Sequence, residues 1–104
     1  MDEKKQMEEL AGIEFEEISG FETLSNGSSR FWSVNDDGSY NSQYRDYISH
    51  DACQGIIDNM ETDKGNIYVE HLNIICMLDG IVSYKATPKH KIEAILKTYC
   101  KWIV

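Results

Sequence analysis

The last twenty residues contain the feature that most limits the fold of this chain, a one-sided apolar stripe. Thr87 and Pro88 are a typical helix start, because a threonine hydroxyl caps free amides and proline needs no amide partner at the first helical position. Apolar residues then recur at helical spacing: Ile92, Ile95, Leu96, Tyr99 and Ile103, with Trp102 beside them. A helix of this kind needs a second layer against which it can bury its stripe.

Three earlier segments are also predicted as helices. Ser49 is a suitable N-cap, and one apolar helix face follows it: Ala52, Cys53, Ile56, Ile57 and Met60. Residues 66–78 fit either a helix or β-strands, since several of their apolar side chains are β-branched; the helix is favoured because the periodic match spans more than two turns. Residues 2–15 also have helical spacing, and Gly12 either lies within this helix or ends it before an extended stretch.

Strands are predicted around the Asn-Asp-Asp-Gly sequence at residues 35–38, which is typical of a turn. Residues 30–34 are β-prone and precede the turn, and residues 39–41 can return as a short hairpin strand. Residues 81–86 alternate after their first apolar pair and are predicted as a further strand.

The fold class follows from these elements. Residues 19–29, rich in Gly, Ser and Asn, are predicted as a loop, as are residues 43–48, which have no clear period. A chain of 104 residues can bury one core, so we predict a single domain over residues 1–104. We expect an α+β fold in which about four helices pack on a small antiparallel sheet of about three strands.

Acidic residues dominate the charge, and they are unevenly distributed. The formal net charge is −8, with seventeen acids and five bases in residues 1–84 and five lysines against one glutamate in residues 85–104. An acidic surface repels nucleic-acid phosphates, so we expect no direct nucleic-acid binding. The functional interpretation is an acidic face that attracts a basic partner; the alternative is a solvated helix face that only adds solubility. The candidate residues for this face are Glu8, Glu9, Glu16 and Glu17.

Residues with catalytic or metal-binding chemistry form no recognisable motif. Cys53, Cys76 and Cys100 all fall on apolar helix faces, so we expect them to be buried. His50 and Cys53 have the spacing of half a zinc site, but no Cys-x-x-Cys or His-x3-His sequence completes it. No phosphate-binding, dinucleotide-binding, hydrolase or metalloprotease motif occurs. We therefore expect no enzyme activity, no metal and no cofactor.

Aromatic residues cluster near the predicted turn, together with two arginines. Tyrosine and tryptophan beside arginine are the side chains that dominate binding hot spots, and they also make stacking platforms. The alternative is that Phe31 and Trp32 fill the core under the hairpin while the tyrosines border it. The candidate binding residues are Arg30, Trp32, Tyr40, Tyr44, Arg45 and Tyr47.

The cysteines and the apolar runs of the sequence indicate the cellular compartment. Three widely spaced cysteines fit free thiols in a reducing compartment better than a disulfide framework. The longest uncharged apolar run, residues 72–78, is far shorter than the ~20 residues that a membrane span needs. No apolar stretch follows the charged first residues, so we expect no secretory signal and a soluble cytoplasmic protein.

Three segments resemble small phage and prophage proteins. Residues 86–102, ATPKHKIEAILKTYCKW, resemble their ending, which has an Ala-Thr pair, a basic helix and a terminal Lys-Trp. Residues 46–53 are similar to their Asp-Tyr…Asp-Ala entry to the middle helix, and residues 10–14 to the end of their N-terminal helix. These proteins are grouped as phage α-β-α sandwich domains of unknown function. The resemblance implies fold and viral origin but no catalytic residue, and it leaves residues 22–44 as the expected place of a specific function.

Together these observations give a ranked set of functional expectations. The first is a phage or prophage accessory protein in the host cytoplasm: a small acidic inhibitor that binds a host protein, plausibly a defence component, through a basic surface on that protein. The alternative is a module that sequesters a small phosphorylated ligand, such as a nucleotide signal, using the aromatic–arginine segment and the lysine-rich last helix. An enzyme or zinc protein ranks third.

Overall fold

The computed structural model describes residues 1–15, 18–25 and 28–103. Within these ranges the chain forms, in order, α1 (Glu3–Phe15), β1 (Gly20–Thr23), β2 (Ser29–Val34), β3 (Tyr40–Arg45), α2 (His50–Asp58), α3 (Thr62–Leu78), a 3-10 helix (Ser83–Lys85) and α4 (Pro88–Thr98). The three strands form one antiparallel sheet in the order β1-β2-β3. Together with the four α-helices, this sheet is an α+β fold, so the predicted class is confirmed.

The sheet has one packed face and one open face, because side chains alternate along each strand. On the central strand β2, Ser29 and Phe31 are buried. Phe31 pairs with Phe21 of β1 and with Gln43 of β3. Helix α1 covers this inner face: the ring centres of Phe15 and Phe31 are 4.6 Å apart, and the Ser29 hydroxyl contacts the Met7 sulfur at 3.1 Å.

Helix α4 lies at the centre of the hydrophobic core. Its predicted stripe is buried at Ile92, Ile95 and Leu96, and α1, α2 and α3 pack around it. The core collects one apolar face from each helix and the inner face of the sheet, including Leu10, Ala11, Phe31, Tyr47, Cys53, Ile56, Tyr68 and Ile75. Burial of this contiguous set, rather than helix propensity, stabilises such short helices.

Local sequence signals set the helix starts. The Ser49 hydroxyl accepts a hydrogen bond from the Ala52 amide at 3.2 Å and begins α2. Thr87 caps α4, and its own amide donates to Nδ1 of His90 at 3.0 Å, which completes a capping box. Nε2 of the same histidine contacts the Asp79 carboxylate, so the end of α3 is tied to the start of α4. The helix favoured for residues 66–78 is confirmed.

Two predicted loops contain strands. Gly20–Thr23 forms β1 within the predicted loop of residues 19–29, and β3 extends through Arg45 into the predicted loop of residues 43–48. Both segments lack a period-two apolar pattern because each is an edge strand: β3 is exposed from Tyr40 to Tyr44, and the short β1 contributes Phe21 to the core. They are strands because they pair with β2, and this pairing leaves no periodic pattern in their own sequences.

The strand predicted at residues 81–86 is wrong. Gly80 adopts a left-handed φ of 71°, and the amide of Ile81 donates a hydrogen bond to the carbonyl of Cys76 at the end of α3. The chain then turns into the 3-10 helix, in which the amides of Lys85 and Ala86 donate to the carbonyls of Val82 and Ser83. With its amides used locally, the segment does not join the sheet.

Two helix limits also differ from expectation. Helix α1 continues through Gly12 to Phe15, so no extended stretch begins there. Helix α4 ends at Thr98, and Ile103, predicted on its buried stripe, is 60% exposed. The cause is a left-handed turn at Cys100, which ends the helix before the stripe is complete.

Candidate binding surface on the outer face of the sheet

The open face of the sheet brings together four of the candidate residues. On β2, Arg30, Trp32 and Val34 point away from α1, and the antiparallel register sets them opposite β3 residues. The pairs are Arg30 with Tyr44, Trp32 with Ser42, and Val34 with Tyr40. We call these six residues the outer sheet face.

Trp32 lies across β1 because Gly20 leaves room for it. A side chain at Gly20 would overlap the Trp32 indole, so the glycine is required by this close approach. The Arg30 guanidinium carbon lies 4.9 Å from the centre of the Trp32 ring. This distance is within the range of a cation–π contact. The indole is therefore held between a glycine backbone and an arginine.

Arg30 is also held by polar contacts. Its Nη1 lies 3.2 Å from Oε1 of Glu22 on β1, and its Nη2 donates to the Ser42 hydroxyl at 3.3 Å. Together with Trp32 and Tyr40, Arg30 and Ser42 line a cavity of about 250 Å³. Tyr40, which forms one side of the cavity, is 69% exposed, and Tyr44 on the same face is 60% exposed. The surface thus combines a fixed Arg–Trp centre with exposed tyrosine rings.

Tyr47 and Arg45 do not lie on this surface. Tyr47 is fully buried, and its hydroxyl donates to Oε2 of Glu14 at 2.7 Å. Burial, together with Glu14, raises the pKa of the Tyr47 hydroxyl above its usual value. Arg45 points to the inner side, where its Nε lies 2.9 Å from Oε1 of Glu14 and its guanidinium covers the Phe15 ring. The structure places Tyr47 in the core, contrary to its assignment to the binding segment.

The acidic residues of α1 occupy a different side of the molecule. Glu8 and Glu9 are half-buried on α1, and Glu9 forms an ion pair with Lys5 at 3.2 Å. Because α1 packs on the inner face of the sheet, these two carboxylates and the outer sheet face lie on opposite sides of it. Glu16 and Glu17, the other two candidates, lie outside the described residues.

The cysteines divide into two buried thiols and one exposed thiol. Cys53 and Cys76 are buried, whereas Cys100 is exposed, so the prediction for Cys100 is wrong. Burial raises the pKa of the Cys53 thiol to about 11, which keeps it protonated and unreactive near neutral pH. Within the described parts of the chain, no three Cys, His, Asp or Glu side chains converge as a metal site would require.

Three contributors to the outer sheet face were not predicted from sequence: Gly20, Ser42 and Val34. A signal for Val34 was present, since Arg30, Trp32 and Val34 recur with the period of two that places side chains on one face of a strand. Ser42 and Gly20 become recognisable only once the register is known, because the pairing sets each of them opposite Trp32.

Comparison with protein-family models, with curated proteins and with solved structures finds no match for this chain. The resemblance to phage α-β-α sandwich proteins therefore stays a prediction. In the part of the chain that the structure describes, no helix has both the length and the apolar character to cross a membrane.

Proposed function

We propose that this protein acts by binding another protein through the outer sheet face, as a small acidic inhibitor. The observation that carries the proposal is the group of exposed or half-exposed aromatic residues around Arg30: Trp32, Tyr40 and Tyr44. Tryptophan, tyrosine and arginine are enriched among the residues that contribute most to protein–protein affinity. Two hydrogen-bonded strands, β2 and β3, present them, so little backbone entropy is lost on binding.

The state of the arginines favours a protein partner over a small phosphorylated ligand. Arg30 is paired with Glu22 and Arg45 with Glu14, so both guanidinium groups already have a carboxylate partner. A phosphate would have to displace that carboxylate or bind next to it, and both are unfavourable for an anion. Contact between the aromatic side chains and a protein partner requires neither ion pair to be broken.

The net charge favours a basic surface on the partner. A charge of −8 on a domain of this size attracts positively charged proteins and speeds their association. The choice of a host defence protein as the partner, and of the host cytoplasm as the compartment, rests on the resemblance of residues 86–102 to phage proteins.

The proposal is tested by alanine substitution on and off the outer sheet face. Partners are captured from host lysate with the wild-type protein and identified by mass spectrometry, and their affinity is then measured by calorimetry. Trp32→Ala and Tyr40→Ala should each weaken binding by about 2 kcal/mol, or roughly thirtyfold in Kd.

Tyr84→Ala is the matched control, because Tyr84 is 84% exposed on the 3-10 helix, away from the sheet. It should leave the affinity unchanged. Melting temperatures are measured for all three variants to separate binding from folding. Unchanged affinity in both sheet variants would contradict the proposal, and a captured phosphorylated small molecule would favour the alternative.

A further inference from the structure

Strand β3 forms an edge of the sheet whose outward backbone groups can be identified. The Asn35 amide donates to the Ser39 carbonyl at 2.8 Å, so these two residues form a hydrogen-bonded pair. Hydrogen-bonded and non-hydrogen-bonded pairs alternate from there along β2 and β3. Counting along the register, residues 41, 43 and 45 direct their amides and carbonyls toward β2. Tyr40, Ser42 and Tyr44 therefore direct theirs away from the sheet, along its free edge.

This edge is not protected in the ways that are common in soluble proteins. Tyr40 to Tyr44 are all exposed, and the strand contains no lysine and no proline. Among the described residues, the contact we find on its outward groups is from Arg45, whose Nη1 donates to the Tyr44 carbonyl at 3.0 Å. The amides of Tyr40, Ser42 and Tyr44 and the carbonyls of Tyr40 and Ser42 are left open to a partner strand.

The same three residues carry the side chains of the outer sheet face. A strand added to the edge would therefore place every second side chain beside Tyr40, Ser42 and Tyr44. The cavity of about 250 Å³ bordered by Arg30, Trp32, Tyr40 and Ser42 lies within reach of that row. Strand addition uses this combination, since backbone bonds give affinity and alternate side-chain pockets give specificity.

Carboxylates lie at both ends of the edge. Asp36 and Asp37 occupy the turn before β3, and Asp46 follows its last residue. Asp37 accepts hydrogen bonds from the hydroxyl and the amide of Ser39, which lower the pKa of its carboxyl group. An extended segment lying along β3 would thus meet Asp36 and Asp37 at one end. At the other end it would meet Asp46 beside Arg45, whose charge is balanced by Glu14.

This charge distribution distinguishes a basic partner from a second copy of the chain. If β3 paired with itself antiparallel about Ser42, Asp46 of one copy would lie beside the turn containing Asp36 and Asp37 of the other. Each copy also carries a net charge of −8. Arg45 would then lie opposite Ser39 of the other copy, but its guanidinium is already paired with Glu14. Self-pairing therefore leaves the carboxylates of the two copies together, whereas a segment with lysine or arginine at both ends is complementary.

We propose that the protein partner adds an extended segment to the free edge of β3, with apolar side chains next to the outer sheet face and basic residues at both ends. This inference rests on the proposed function and specifies how the same surface is bound. It also states the chemistry of the partner segment.

The test uses a synthetic peptide of alternating valine and threonine with lysines at both ends, and the same peptide with glutamates instead. Exchange of individual backbone amides is followed by NMR on the full chain. When the lysine-ended peptide occupies most of the protein, we expect the outward amides of Tyr40, Ser42 and Tyr44 to exchange at least about tenfold more slowly. The glutamate-ended peptide should have no effect.

Ser42→Pro is the decisive variant, because it removes an outward amide that the β2–β3 ladder does not use. Ser42→Ala is its control, since both variants lose the hydroxyl contact with Arg30. We expect the alanine variant to keep the protection and the proline variant to lose it. The wild-type exchange pattern decides the question by itself if the proline variant does not fold.

Unchanged exchange with the lysine-ended peptide, equal protection by both peptides, or a β3-paired dimer without peptide would each overturn this inference. The proposed function fails separately, when the Trp32→Ala and Tyr40→Ala variants bind the captured partner normally. If those variants lose binding while Ser42→Pro keeps it, the outer sheet face binds by side chains alone and the strand-addition inference is wrong.

Discussion

Glu14 shows how one half-buried carboxylate links three elements of this fold. It accepts the Tyr47 hydroxyl on Oε2 and pairs with Arg45 on Oε1. Both contacts are charge-assisted hydrogen bonds, and they offset the cost of removing the Glu14 carboxylate from water. These contacts join α1 to the end of β3 and to the segment before α2. The aromatic cluster seen in the sequence is therefore divided between a binding surface and a structural contact.

Tyr47→Phe tests this structural role. Removing the hydroxyl leaves Glu14 with Arg45 alone, so we expect the free energy of unfolding to fall by about 1–2 kcal/mol. Urea denaturation measures the change. Tyr40→Phe is the control, because Tyr40 is largely exposed, and it should leave stability within experimental error. Equal stability of both variants would show that the Tyr47–Glu14 contact contributes nothing.

The same tyrosine makes stability depend on alkaline pH. The pKa of Tyr47 in the folded state is raised above its usual value of 10.0 by burial and by Glu14. Its contribution is complete below pH 10, and it decreases as the pH rises further, because the unfolded chain releases the proton first. The Tyr47→Phe variant should therefore lose less stability than the wild type above pH 10.

At the scale of elements, the end of α4 depends on an unusual residue. Cys100 adopts a left-handed φ of 59°, the Lys101 amide donates to the Leu96 carbonyl, and the Cys100 amide donates to that of Lys97. This pair of bonds is a Schellman motif, in which glycine normally occupies the left-handed position. The Cβ atom of a cysteine is unfavourable in that conformation.

Cys100→Gly should consequently stabilise the protein. Relief of the left-handed strain, partly offset by a more flexible unfolded chain, should add about 1 kcal/mol, or roughly 4–8 °C in Tm. Cys100→Ala is the matched control, since it removes the thiol and keeps the Cβ atom, and it should give no gain. A glycine variant no more stable than the alanine variant would contradict this account of the helix end.

Elements with their own caps and apolar stripes were predictable from sequence, and elements defined by pairing were not. The start of α4 at Thr87 and Pro88 and the start of α2 at Ser49 were predicted correctly, because those signals act within one turn. Strand β1 was not predicted, because it is a strand through its pairing with β2 and not through a pattern in its own sequence. Arg30, Trp32, Tyr40 and Tyr44 were grouped by proximity in sequence, and the register gives the physical reason that they share a face.

At the scale of the whole molecule, acidic charge and the aromatic surface have separate locations. The carboxylates of α1 lie on the inner side of the sheet, so Glu8 and Glu9 influence a partner on the outer face only through the long-range field. That field is screened over a Debye length of about 10 Å at 0.1 M salt. Asp36, Asp37 and Asp46 lie near the ends of β3, and Glu22 is paired with Arg30, so these carboxylates are nearer to the proposed contact than Glu8 and Glu9 are.

The most direct measurement of the central claim is hydrogen–deuterium exchange of this protein with and without its captured partner. If the outer sheet face is the binding surface, peptides that cover β3 should exchange more slowly in the complex, whereas those that cover α1 and the 3-10 helix should be unchanged. Protection confined to α1, with β3 unchanged, would contradict the claim and place the interface on the acidic helix instead.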